Sequence, residues 1–214
     1  MPGDKSGYHF RDALRLLFIL TQGSASMVAP DTARGFDHVF EGEKRAMALD
    51  FLIRYPDYLA NDLLELYELE GDPQLLDAVG TIFRDGEPDL RVIYMVRWSF
   101  GAFEPLETAV AILEARGLVR AVKVNIGGQD RHDFLVGPGA REFLERAVRE
   151  QPQLAWYEKQ VALALRVWGK SSGSAVKGAQ YEHPEYRNTP RGSVIPSIKD
   201  RVLERFERLE GAAR

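Results

Sequence analysis

Apolar residues recur at helical spacing through most of the chain, interrupted at regular intervals by glycine and proline. In residues 10–20, Phe10, Leu14, Leu17 and Phe18 share one face while Arg11, Asp12 and Arg15 lie opposite, which predicts an amphipathic helix. Residues 23–35 carry Gly, Ser, Ala, Pro and Asp without any period, so a loop or flexible connection is expected there, and a candidate boundary. Ala46, Leu49 and Ile53 then recur within 43–55, behind an acidic first turn, until Pro56 stops that helix and suits the first turn of the next. Leu59, Leu63, Leu66 and Tyr67 stripe this second helix, Gly71-Asp72-Pro73 breaks it, and a third short helix is expected over 74–83. Residues 90–100 suit helix or strand, and helix is the expectation.

From 103 to 149 the order of elements becomes informative. Glu104-Pro105 opens a helix with Leu106, Ala109, Val110 and Leu113 inward, and Gly117 stands where a helix end favours a left-handed residue. A strand over 118–126, a turn at Gly127-Gly128-Gln129-Asp130 and a returning strand over 132–136 make a hairpin. Gly137-Pro138-Gly139 starts the next helix, bearing Phe143, Leu144, Ala147 and Val148. Helix, strand, glycine turn, strand, helix is the order of a winged helix. A further helix carries Leu154, Tyr157, Val161, Ala164, Leu165 and Trp168; residues 169–196 are punctuated by Gly, Ser and Pro and read as an arm. The last helix presents Ile198, Val202, Phe206 and Leu209 on one stripe, expected to dock on a partner.

Composition narrows the classes of function. The 214 residues are 45% apolar and 28% charged, long enough for a sizeable core. With no cysteine, disulfides, thiolate nucleophiles and Cys-based metal centres are excluded. The longest apolar runs, residues 16–20 and 92–96, fall far below the roughly 20 residues of a membrane span, and residues 1–7 lack signal-peptide character, so a cytoplasmic protein is expected. The formal charge of −4 is unevenly spread, with an acidic body followed by a mildly basic stretch from Gly169 onward.

No motif with diagnostic catalytic spacing is present. Gly169-Lys170-Ser171 lacks the upstream glycine and the strand context of a phosphate loop. His9, His38, His132 and His183 are scattered, and Asp130-Arg131-His132-Asp133 falls where a hairpin turn alone explains Asp and Gly. The expectation is therefore no catalytic residue, no metal ligand and no cofactor. For nucleic acid, the outward positions of the helix over 104–116 include Glu104, Glu107 and Glu114, which would repel phosphate and supply no base-reading amide or guanidinium. The hairpin offers Arg120, Lys123, Arg131 and His132, and the arm adds Lys170, Lys177, Arg187 and Arg191, as candidates for weak contact with duplex phosphates. Trp98, Phe100, Phe103, Trp156, Tyr157 and Trp168 are read as core.

The run EKRAMALDFLIRYPDYL at 43–59, followed by LETAVAILEARGLVRAVKVNIGGQDRHDFLVGPGAREFLERA at 106–147, resembles bacterial winged-helix proteins. More specifically, it resembles the small middle component of three-component ABC/SMC-like systems of the Lamassu-like anti-phage kind. The resemblance implies a non-catalytic adaptor docked on an SMC-like ATPase, helping it hold an effector or double-stranded DNA without sequence preference. Sequence and resemblance together give a mainly α fold with a small β-hairpin, a winged helix-turn-helix core, extra N-terminal helices and a C-terminal helical arm. The expected organisation is an N-terminal helix and loop over 1–42, a winged-helix body over 43–168, and an arm with a docking helix over 169–214. A dimeric transcription regulator, in which Thr108 and the hairpin would read DNA, is the alternative, and an enzyme with a dispersed site is a third reading. Whether residues 43–100 hold a second, degenerate winged unit stays open.

Overall fold

A computed structural model describes residues 6–31, 35–84, 95, 105–169, 175, 178 and 182–213. The fold is mainly helical around a four-stranded antiparallel sheet of order β1-β2-β4-β3. Helix α1 (Ser6–Gly23) is followed by β1 (Ala25–Asp31) and β2 (Phe36–Phe40), then by α2 (Glu43–Arg54), α3 (Pro56–Glu70) and α4 (Pro73–Arg84). Helix α5 (Glu107–Glu114), β3 (Val119–Ile126), β4 (Gln129–Val136), α6 (Pro138–Glu150) and α7 (Ala155–Trp168) complete the body. Two further helices, α8 (Pro184–Asn188) and α9 (Lys199–Ala213), lie in the C-terminal segment. No described helix is long and apolar enough to cross a membrane.

The expected helix–helix break holds at Tyr55-Pro56. Proline at the first turn of α3 gives up no hydrogen bond that the helix needs, and Gly71, at φ 70, closes α3 in the left-handed conformation that a side chain would resist. In α4, Leu75, Leu76, Val79 and Ile82 turn inward. Residues 90–100, expected as a helix, lie outside the described residues apart from Met95. That residue is buried, and its carbonyl accepts the Ile195 N–H at 2.6 Å.

Three expectations need correction. Residues 23–35 are not a connection: β1 lies there and pairs with β2 from Ala25↔Val39 to Asp31↔Phe36. No alternation marks β1, because the pairing that makes it a strand comes from β2, which is itself fixed to β4 at His38↔Val136, Val39↔Leu135 and Phe40↔Phe134. The hairpin turn is also tighter than expected. Gly127 and Gly128, at φ 59 and 84, form a two-residue turn by themselves, so β4 already begins at Gln129. Finally, the stripe expected to dock on a partner is packed against the protein's own α3 and α4. Ile198 and Val202 are 2% and 0% exposed, while Phe206 and Leu209 are partly buried against the same core, with the Phe206 ring over Gly80 of α4. An amphipathic stripe needs a cover, and the sequence does not say that the cover is in the same chain.

Helix α1 holds the centre. It packs against α2, α5, α6, α7 and the sheet, so Leu16, Leu17, Phe18, Ile19 and Leu20 are all buried and this stretch of the helix has no solvent face. Arg15, expected on the polar side, is 1% exposed. Its Nε donates to Asp50 Oδ1 at 2.7 Å, and Arg54 Nε donates to the other oxygen of the same carboxylate at 2.7 Å. Burial on its own would raise the Asp50 carboxyl, but the Arg15 and Arg54 guanidiniums hold it below the ordinary range.

Removing Asp50 takes from two buried guanidiniums the carboxylate they share. Asp50→Ala is expected to lower the unfolding free energy by about 3–5 kcal/mol. Urea titration followed by far-UV circular dichroism measures it, and a loss under about 1 kcal/mol, the scale of an exposed pair, would contradict the role assigned to the triad.

Candidate functional site

Helix α5 and the β3–β4 hairpin form the surface on which a winged-helix protein would meet DNA. Inward Ala109, Val110 and Leu113 fix the roll of α5, which leaves Glu107, Thr108, Ala111 and Glu114 exposed; Glu104 lies outside the described residues. Glu114 does more than face solvent. Its Oε1 accepts the Ala121 N–H at 2.8 Å, tying α5 to the outer edge of β3.

The candidate phosphate contacts divide into paired and unpaired groups. Lys123 Nζ lies 2.7 Å from Asp130 Oδ2, and that contact with Lys123 holds the Asp130 carboxyl below its usual range. Arg131 is gripped by Asp133 at 2.7 Å and by Glu41 at 3.1 Å. Asp133 is itself buried and accepts the Gly42 N–H at 2.8 Å, so the guanidinium is anchored to the body. His132 Nδ1 sits 3.3 Å from Glu43 Oε2. Arg120 is exposed and makes no ion pair among the described residues. The structure therefore brings Arg120, Lys123, Arg131 and His132 onto one hairpin but supplies carboxylates for three of them. Lys170 and Lys177 lie outside the described residues.

A second constellation escaped the sequence reading because it straddles the segment read as a connection. Ser26 Oγ lies 3.2 Å from His38 Nε2, and His38 Nδ1 lies 3.0 Å from Asp37 Oδ1. The residue types are those of a serine hydrolase, so the proton positions decide the chemistry. A base needs Nδ1 to carry the proton and Nε2 to be free to accept one from serine. Arg141 opposes that arrangement. Its Nη1 stands 3.0 Å from His38 Nδ1 and donates to Asp37 Oδ1 at 3.1 Å, while its Nη2 donates to Asp37 Oδ2. A guanidinium has only donors, so Arg141 takes up both oxygens of the Asp37 carboxylate that would have to orient the imidazole. The hydrogen bond to Arg141 also pulls the Asp37 carboxyl down to about 2. The group ties β1, β2 and α6 together.

The third polar region joins α3 to the C-terminal segment. Asp57 Oδ2 accepts from Ser197 Oγ at 2.7 Å and from the Ile198 N–H at 2.9 Å. Arg205 Nη1 donates to Asn61 Oδ1 at 3.1 Å, and its Nη2 to Glu68 Oε2 at 2.7 Å. Asp62, 9% exposed, has a different neighbourhood: the Trp168 indole N–H donates to its Oδ2 at 2.6 Å, and among the described residues no guanidinium grips it directly. Burial pushes its carboxyl up to about 7, outweighing the Trp168 hydrogen bond, with Glu65 nearby adding to the rise. Among the described residues no group of three or more His, Asp or Glu side chains is arranged to hold a metal ion.

Comparison with known proteins gives no guide to this arrangement: no family model, no curated protein and no solved structure matches the chain.

Asp62 makes stability depend on pH in a defined direction. Its folded-state value lies above the unfolded value near 3.9, so between about 4 and 7 the folded chain binds the extra proton and stability falls as pH rises. Above about 7 the two states are equally charged and this contribution is flat. Asp62→Asn keeps an acceptor for Trp168 and removes the titration. The variant is expected to be more stable than the parent at pH 8 by about 2–4 kcal/mol, the difference vanishing near pH 4. Paired urea titrations at the two pH values measure this, and an equal or lower stability of the variant at pH 8 would overturn the assignment.

Proposed function

We propose that this protein is a non-catalytic adaptor built on a winged helix, a subunit of an SMC-like ATPase assembly of the anti-phage type, acting in the cytoplasm. The winged-helix reading rests on the order α5, β3, β4, with β2 laid against the far side of β4. The observation that carries the adaptor reading is the charge pairing of the hairpin. Lys123, Arg131 and His132 each face a carboxylate of the same chain, and α5 adds exposed Glu107 and Glu114. A phosphate backbone would have to displace those carboxylates and then face two more, so duplex recognition gains little from this surface. Protein contact has no such penalty: a rim of mixed, internally paired charge around the half-exposed Ile126 is ordinary interface chemistry. The ATPase and effector as partners come from the sequence resemblance. Duplex contact without sequence preference is left, on the hairpin, to Arg120.

Ile198, Val202, Phe206 and Leu209 have no part in this reading, because α3 and α4 already cover them. The docking surface is sought on α5 and the hairpin instead. Co-expression with its native neighbouring genes, followed by size-exclusion chromatography at physiological salt and identification of the chains in each peak, tests the proposal. A single complex of this chain with an SMC-like ATPase and an effector is expected, unaffected by Arg120→Ala and broken by Ile126→Arg, since a buried arginine without a partner costs an interface several kcal/mol. Elution of this chain alone as a dimer would contradict the proposal and favour the regulator.

A further inference from the structure

Beyond the hairpin, and independent of the adaptor reading, the molecule carries a cleft of about 420 Å3 between the start of α3, the end of α4 and the segment leading into α9. Small organic ligands occupy pockets of roughly 300–1,000 Å3. Tyr55, Ile82, Phe83 and Ile195 supply apolar and aromatic walls, with Ile82 4% and Ile195 2% exposed. Among the described residues two charged side chains line the cleft, Asp57 and Lys199, and they are in opposite conditions.

The Asp57 carboxylate is fully engaged. Its Oδ1 accepts the Tyr58 N–H at 3.1 Å, and its Oδ2 accepts from Ser197 Oγ and the Ile198 N–H. These bonds hold the C-terminal segment on α3, so the carboxylate has little acceptor capacity left for a ligand. Lys199 is exposed, and its ammonium has neither an ion pair nor a hydrogen bond among the described residues. It also stands at the first position of the 15-residue α9, where the helix dipole adds positive potential. A cationic ligand would meet the ammonium and find the carboxylate taken. A ligand with an apolar body and one anionic group would bury the body between Ile82, Phe83 and Ile195 and set the anion against Lys199. We infer that this cleft is a binding site for a small amphipathic anion, an apolar molecule carrying a single carboxylate or sulfonate.

Two fluorescent probes of nearly the same shape separate the apolar from the charged contribution. 1-Anilinonaphthalene-8-sulfonate carries the anion, and N-phenyl-1-naphthylamine does not. Titrated into the full chain, the sulfonate is expected to saturate a single site. Lys199→Glu is expected to weaken it by roughly tenfold or more, the scale of one charge-assisted contact, while the uncharged probe changes by less than about twofold. Lys199→Arg should restore the sulfonate to near the parent affinity. Because Lys199 is exposed and unpaired, its variants should keep the parent's circular dichroism and urea midpoint. Non-saturating binding, or equal sulfonate affinity in the parent and Lys199→Glu, would overturn the inference.

Discussion

A single carboxylate organises the core of this protein. Asp50 is 3% exposed and stands between Arg15 of α1 and Arg54 of α2, both almost fully buried. Three charges cannot be withdrawn from water unless each finds its counter-charge in good geometry, so the roll of α1 against α2 is restricted to the one arrangement that joins them. The consequences spread from there. Once α1 is set by Asp50, its apolar residues on every other side demand cover, and α5, α7 and the sheet supply it. Phe18 stacks on Tyr157 of α7 at 5.6 Å between ring centroids, and Phe40 of β2 meets Phe134 of β4 at 6.4 Å. The hairpin that carries the proposed docking surface is held at the end of this chain of contacts.

The same rule of local charge balance shapes the surface. The hairpin keeps Lys123, Arg131 and His132 against Asp130, Asp133, Glu41 and Glu43, and β2 keeps Asp37 against Arg141. Exposed pairs of this kind contribute little to stability, but they decide what the surface can attract. A DNA reader leaves its cations free for phosphates, whereas this surface presents them already answered. The Ser26–His38–Asp37 group shows the same principle in another form. Arg141 takes up both oxygens of Asp37 and ties α6 to the strands that carry Ser26 and His38.

Elements fixed by local chemistry were legible in the sequence, and those fixed by distant partners were not. Pro56, Gly71 and the Gly127-Gly128 turn announce their roles because proline and left-handed glycine act within a few residues. The apolar faces of α2, α4 and α5 follow from their spacing. Strand β1 did not show itself, since it depends on β2, which depends on β4 nearly a hundred residues later. Arg15 looked like a solvent residue because its partner is 35 positions away, and the α9 stripe looked unpartnered because its cover, α3 and α4, precedes it by more than a hundred. The candidate site divides the same way. Periodicity and turn residues placed Arg120, Lys123, Arg131 and His132 on one hairpin, but Glu41 and Glu43 are brought to them by tertiary structure alone.

The central claim, that the surface of α5 and the hairpin neutralises its own charge, is tested most directly by the salt dependence of duplex binding. Association with a random double-stranded DNA would be followed by fluorescence anisotropy across a series of salt concentrations. Each cation that displaces a counterion contributes about 0.9 to the slope of log K against log salt. With Arg120 as the free hairpin cation, a slope near about −1 is expected, reduced towards zero by Arg120→Ala. A slope of about −4 that survives Arg120→Ala and falls when Lys123 or Arg131 is replaced would show those cations releasing their carboxylates for phosphate, and would contradict the claim.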